Sequence, residues 1–278
     1  FLALCTALYR LGYGRYQGSV RIVAMLLFAF YVGTHRNIAA GESDDNLAAL
    51  LFAVGILAYL DRRRSLIAGL LVGVAFLFKF WIPIFAIGLL VFMAHKRRWR
   101  DLGLSLAGMV LPFVAINVVD GGASLRCLWF SIQLQHAYSS WPSMAFKLFS
   151  TGLLPIAVFA TLVWWKRRSD VETLFWLLAV AYPAYALVNR DVFAASFVLM
   201  LSMLFASFPL AEGLLAAVAR LQPRWRPAVL AGTLGLYLAG TTMISYHNFQ
   251  RDTTPIVLSE DAEQARRVSG AQSVVRPR

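Results

Sequence analysis

Long apolar runs alternate along this chain with short clusters of basic residues. The runs cover residues 1–9, 22–34, 46–60, 65–78, 80–95, 102–117, 148–165, 171–188, 192–209 and 227–244. Between them lie five tight groups: Arg10, Arg15 and Arg21; Arg62 to Arg64; Lys96, Arg97, Arg98 and Arg100; Lys166 to Arg168; Arg220, Arg224 and Arg226. If each group is cytoplasmic, as the excess of Lys and Arg on that side of membrane proteins requires, every interval between groups crosses the bilayer an even number of times. Each interval has room for two crossings. The pattern predicts nine complete spans and the end of a tenth: an all-α, polytopic transmembrane bundle, helical because a backbone in lipid must satisfy its own hydrogen bonds. Residues 1–244 form the expected membrane domain, and 245–278 a polar tail at the outer face in which Ser259-Glu-Asp-Ala-Glu could cap a short helix.

Composition agrees with the pattern. Of 278 residues, 59% are hydrophobic and 14% charged, against roughly 45–50% and 25% in soluble globular chains. Aromatics at 14% and only two cysteines, Cys5 and Cys127, exclude disorder and a disulfide scaffold. A net charge of +12 would suggest nucleic acid in a soluble domain, but these cations recur at intervals set by bilayer thickness instead of forming one footprint. No nucleic-acid partner is expected; the lipid bilayer is. Because the chain opens at Phe1 inside an apolar run, with no initiator Met or basic region before it, it reads as a fragment in which no signal peptide can be assigned. No internal repeat and no low-complexity stretch stands out.

Candidate chemistry lies in the outer loops. The interval 65–95 is roughly 46 Å long as one helix, too long for one crossing and short for two, so it should be a tight hairpin with Lys79 at its tip and Pro83 opening the return. A lysine at that depth either snorkels beside Trp81 or meets an anion, most simply a lipid phosphate. The turn HRNIAAGESDDN, 35–46, brings Glu42, Asp44 and Asp45 to the outer end of the next helix. These acids cap the helix and complement its dipole, or they orient a sugar hydroxyl, bind a divalent cation or accept a proton. The segment 124–147 is too polar to span and rich in aromatics, as for helices lying in the interface; it offers Arg126, Gln133, Gln135, His136 and Lys147 to a phosphate or sugar. At a fourth outer turn, Arg190 and Asp191 are a local ion pair or a further cationic site. No Walker loop, zinc-ligand cluster or Ser/His/Asp set has a readable spacing.

The order of these features resembles the GT-C superfamily of integral-membrane glycosyltransferases. GESDDNLAALLFAVGILAYLDRRRSLIAGLLVGVAFLFKFWIPIF, 41–85, is similar to that family's Gly-polar-x-Asp turn, helix, basic loop, Gly-rich helix, and Lys with a nearby Pro. FSIQLQHAYSSWPS, 130–143, resembles its outer-loop Gln-x-x-Arg segment, with His136 where arginine is more usual, and NRDVFAASFVLML, 189–201, its arginine at the start of a late helix. The resemblance implies an inverting transfer of a sugar, most commonly mannose, from a polyprenyl-phosphate donor to a hydroxyl of a glycan, lipid or protein acceptor. It places the site on the outer or periplasmic face of a prokaryotic plasma membrane. It implies Asp44 or Asp45 at the second acidic position, assisting acceptor or metal binding, with the general base in a loop preceding Phe1. Lys79 and Arg190 would hold the donor phosphate, with Glu42, Gln133 and His136 completing the substrate site. A divalent cation is the one cofactor left open. A lipid or sugar transporter or flippase would instead show inverted repeats and midplane charges, whereas the charges here cluster at helix ends. A non-catalytic scaffold subunit is the third reading.

Overall fold

In a computed structural model the chain is described at residues 1–31, 34, 43–62, 64–79, 81–126, 141–142, 148–149, 153–167, 169–189 and 196–253. Those residues form ten α-helices and no strand. In chain order they are α1 (Leu2–Gly12), α2 (Gly18–Ala29), α3 (Ser43–Arg62), α4 (Ser65–Phe78), α5 (Ile82–His95), α6 (Trp99–Val119), α7 (Leu153–Arg167), α8 (Asp170–Asn189), α9 (Ser196–Ala219) and α10 (Arg226–Thr253). Each apolar run overlaps one helix. The last helix continues to Thr253, past the change of composition after residue 244.

Three helices are long and apolar enough to cross a membrane by length and composition: Trp99–Val119, Asp170–Val188 and Met200–Ala219. Each carries an internal proline, Pro112, Pro183 or Pro209; membrane helices tolerate such prolines because neighbouring groups satisfy the freed carbonyls. Along α6 only 11% of the apolar window is buried, and Val110, Leu111, Val114 and Val118 are all more than half or close to half exposed. An apolar surface of that extent suits lipid as its solvent. The hairpin expected over 65–95 is two 14-residue helices, each about 21 Å long. Lys79 ends the first in extended backbone and Pro83 sits in the first turn of the second, where its missing N–H costs nothing.

Contacts fix the relative direction of two helix pairs. Gly69 and Gly73 of α4 meet Ser105 and Met109 of α6, so these two run parallel. The stacked Trp164 and Trp176 rings, with Trp164 donating to Thr173 and Trp176 to Thr161, make α7 and α8 an antiparallel pair. The start of α8 is closed by a reciprocal cap in which Glu172 N–H donates to Ser169 Oγ and Ser169 N–H to the Glu172 carboxylate.

The described residues of the five basic groups meet at one end of this arrangement. Arg15 pairs with Asp61, next in the chain to Arg62. Ser65 donates to Asp101 beside Arg100, at 2.7 Å. Lys96 and Arg98 reach Asp170 at 2.8 and 3.2 Å, and Arg98 also donates to the Tyr59 hydroxyl at 2.8 Å. Lys166 and Arg220 line one groove. The core between the ends is aromatic: Phe52 packs edge-on to Phe85 and Phe205, and Phe175 stacks on Phe208, all fully buried.

Candidate functional site

Opposite the basic end, the start of α3 meets the tip of the α4–α5 hairpin. Asp44 and Asp45 occupy the first turn of α3, where carboxylates complement the positive end of the helix dipole. Lys79 reaches both: its Nζ lies 2.5 Å from Asp45 Oδ1 and 3.0 Å from Asp44 Oδ2. Exposure separates the two acids. The Asp45 side chain is 2% exposed and Asp44 52%, with Lys79 between them at 24%. One acid is thus a buried counter-ion and the other faces solvent, and the formal charge of the three groups is −1.

The pairing shifts both partners. A hydrogen bond from Lys79 is the main cause holding the Asp44 carboxyl below the usual carboxylate value. Burial acts to lower the Lys79 ammonium, but hydrogen bonds to Asp45 and Asp44 outweigh it and raise Lys79 above its ordinary 10.5. Stability from a depressed carboxyl is present above its ordinary value, 3.8 here, and is lost as pH falls through the folded value. Stability from a raised lysine is present below 10.5 and is lost as pH rises through the folded value. The melting-temperature gap between the parent and Asp44→Asn is therefore expected to stay flat from about pH 9 down to 5 and to shrink only as pH falls below the carboxyl's ordinary 3.8. A gap that already narrows between about pH 7 and 5 would show that the Asp44 carboxyl is raised and not lowered.

Aromatic side chains adjoin the lysine. Trp81, 5% exposed, packs edge-on to Tyr182 and Tyr185 of α8, each 6.1 Å away between ring centroids. Tyr182 and Tyr185 share a face of α8 because they are three residues apart. No motif marks them as part of a site, although two tyrosines near the end of an apolar run are a signal of an interfacial aromatic cluster. Below the hairpin tip an apolar groove of about 230 Å³ runs between α4, α5 and α6, lined among others by Phe76, Ile82, Pro83, Met109 and Phe113.

Another acid at this end is accounted for structurally. Asp120 follows α6 and accepts from the backbone N–H groups of Gly122, Ala123 and Ser124 and from the Ser124 hydroxyl. These bonds, the hydroxyl's first, hold its carboxyl below the usual range and stabilise a turn in which Gly121 and Gly122 take positive φ.

Of the residues singled out in the sequence, Asp44, Asp45 and Lys79 come together. Glu42, Gln133, His136 and Arg190 lie outside the described residues. Among the described residues no group of three His, Cys, Asp and Glu side chains could hold a metal ion; Asp44 and Asp45 supply carboxylate oxygens to one point already occupied by an ammonium. No family model, no curated protein and no solved structure matches the chain.

Proposed function

We propose that the chain belongs to a polytopic membrane glycosyltransferase of nine to ten spans. In this reading it transfers a sugar, mannose being the first choice, from a polyprenyl-phosphate donor to an acceptor hydroxyl. The site lies at the membrane face opposite the basic end, which is the outer or periplasmic face of a prokaryotic plasma membrane. The observation that carries the reading is the lysine at the hairpin tip, held between a buried and an exposed carboxylate. The apolar groove starting beside it suits a substrate with a long hydrocarbon chain.

The three groups divide the work by exposure. Asp45, out of reach of solvent, acts through Lys79 by fixing its ammonium. Lys79 faces the donor phosphate and stabilises the charge that grows on it as the bond from the anomeric carbon to the phosphate oxygen breaks. The acceptor oxygen forms the new bond to that carbon and gives up its proton to a base. Asp44 stays ionised at neutral pH and orients the acceptor hydroxyl. Its depressed pKa makes it a weak proton acceptor, so orientation and not proton removal is its role. Since the three groups sum to −1, the donor phosphate calls for a further cation, and Arg190 is the proposed one.

Asp44→Asn tests this. An asparagine caps a helix about as well as aspartate, so stability should change by less than about 1 kcal/mol. An amide lacks the full negative charge that orients the acceptor, and turnover should fall about a hundredfold, the scale of lost positioning. The assay is release of polyprenyl phosphate from labelled polyprenyl-phosphate mannose by the full-length protein in nanodiscs. Parent-rate transfer by Asp44→Asn would make Asp44 a helix cap only; no release by the parent with any polyprenyl-phosphate hexose would overturn the reading.

A further inference from the structure

The basic end carries a second feature that the reaction does not use. A groove of about 360 Å³ separates α7 from α9. It extends from the contact between Phe159 and Gly213, where a Cβ on the glycine would stand 2.7 Å from the ring, past Val163 and Ala216 to Lys166 and Arg220. From Gly213 to Arg220 this is about 10 Å along the helix. Lys166 and Arg220 are exposed, and neither forms an ion pair among the described residues. Leu162 and Trp165, neighbours on α7, turn more than half of their surface outward, so the groove opens onto an apolar exterior. Glu212 lines its far end, two turns from Arg220, and is partnered within the chain.

We propose that this groove seats one anionic phospholipid of the surrounding bilayer, its acyl chain along Val163 and Ala216 and its phosphate between Lys166 and Arg220. The site is independent of glycosyl transfer and rests only on the chain being embedded in a membrane. Charge complementarity selects the occupant. An apolar slot ending in two unpaired cations fits an amphiphile with an anionic head, and basic pockets between helices at the membrane face are where anionic lipids are held. Zwitterionic lipid gains less there, since its own ammonium or choline must sit beside the same cations. Glu212 repels the headgroup from the deep end and so fixes which way the lipid lies.

The test uses the full chain in mixed micelles of equimolar phosphatidylglycerol and phosphatidylcholine, with retained lipid counted by mass spectrometry. The parent is expected to retain phosphatidylglycerol about tenfold over phosphatidylcholine. Lys166→Gln with Arg220→Gln should abolish that preference, while Arg64→Gln with Arg100→Gln, which removes the same charge from exposed positions elsewhere at the basic end, should keep it. Ala216→Phe fills the groove without touching charge and should lose the retained lipid. Equal loss in both double variants would mean diffuse attraction and overturn the site. Retention unchanged by Ala216→Phe, displacement by equimolar polyprenyl phosphate, or a dimer that Ala216→Phe dissociates would each overturn it as well.

Discussion

Lys79→Met is expected to destabilise the protein by about 3–5 kcal/mol, because it leaves the Asp45 carboxylate buried at 2% exposure without its cation. Methionine keeps the length and apolar stem of lysine, so packing changes little and the loss reports the charge. Adding Asp45→Asn should restore most of the stability, since a neutral amide is far cheaper to bury than an unpaired carboxylate. Chemical unfolding of the three variants in one detergent gives the comparison. If Lys79→Met is as stable as the parent, the ion pair does not hold α3 to the hairpin. Activity then separates structure from chemistry: the folded double variant should lose most sugar transfer, because the lysine no longer faces the donor phosphate beside Arg190. Transfer at the parent rate would reduce Lys79 to a structural tie. Lys79→Arg keeps the charge but spreads it over a planar fork, and should keep stability better than turnover.

The hairpin and the gathering of cations at one end were legible because each follows from local composition: apolar length between basic groups, and a lysine midway along an interval too short for two full spans. Lys79 was also placed on the side of Asp44 and Asp45. What the sequence did not reveal was that the two acids supply its anion. The sequence alone suggests a lipid phosphate as that anion, whereas the packing of α3 on α4 brings together residues more than thirty positions apart, and no periodicity marks such a pairing. The division of labour between the acids was hidden for the same reason. Adjacent residues in the first turn of a helix point about 100° apart, and only the position of the hairpin decides which of them is buried. Helix length was the least legible property: of the runs read as spans, three became helices that meet the length and composition of a crossing, while α1, α2, α4, α5 and α7 are shorter.

Gly69 of α4 sets how closely that helix can approach α6. A Cβ there would stand 2.2 Å from the Ser105 carbonyl oxygen and 2.9 Å from its Cα, both backbone atoms that cannot rotate away. Gly73 one turn on meets Met109 O at 2.5 Å, and Gly108 faces Leu66 O at 2.5 Å from the opposite side, so the two helices touch backbone to backbone over two turns. Close approach through small residues is how membrane helices associate, since lipid offers no hydrophobic driving force between them. It also brings the buried Ser105 hydroxyl within 3.0 Å of the Ser65 carbonyl, to which it donates. Gly69→Ala should force the pair apart, break that bond and cost about 3 kcal/mol, the upper end of overpacking, with Gly69→Val worse. Gly103 lies on the same α6 with nothing within 4 Å of an added Cβ. Gly103→Ala should be neutral or stabilising by up to about 1 kcal/mol, because it removes only the flexibility of a mid-helix glycine. Thermal unfolding of both variants in nanodiscs decides it. Equal melting temperatures for Gly69→Ala and Gly103→Ala would mean that α4 and α6 are not in backbone contact. The apolar groove below Lys79, which these two helices form with α5, would then lack the walls that make it a site for a lipid chain.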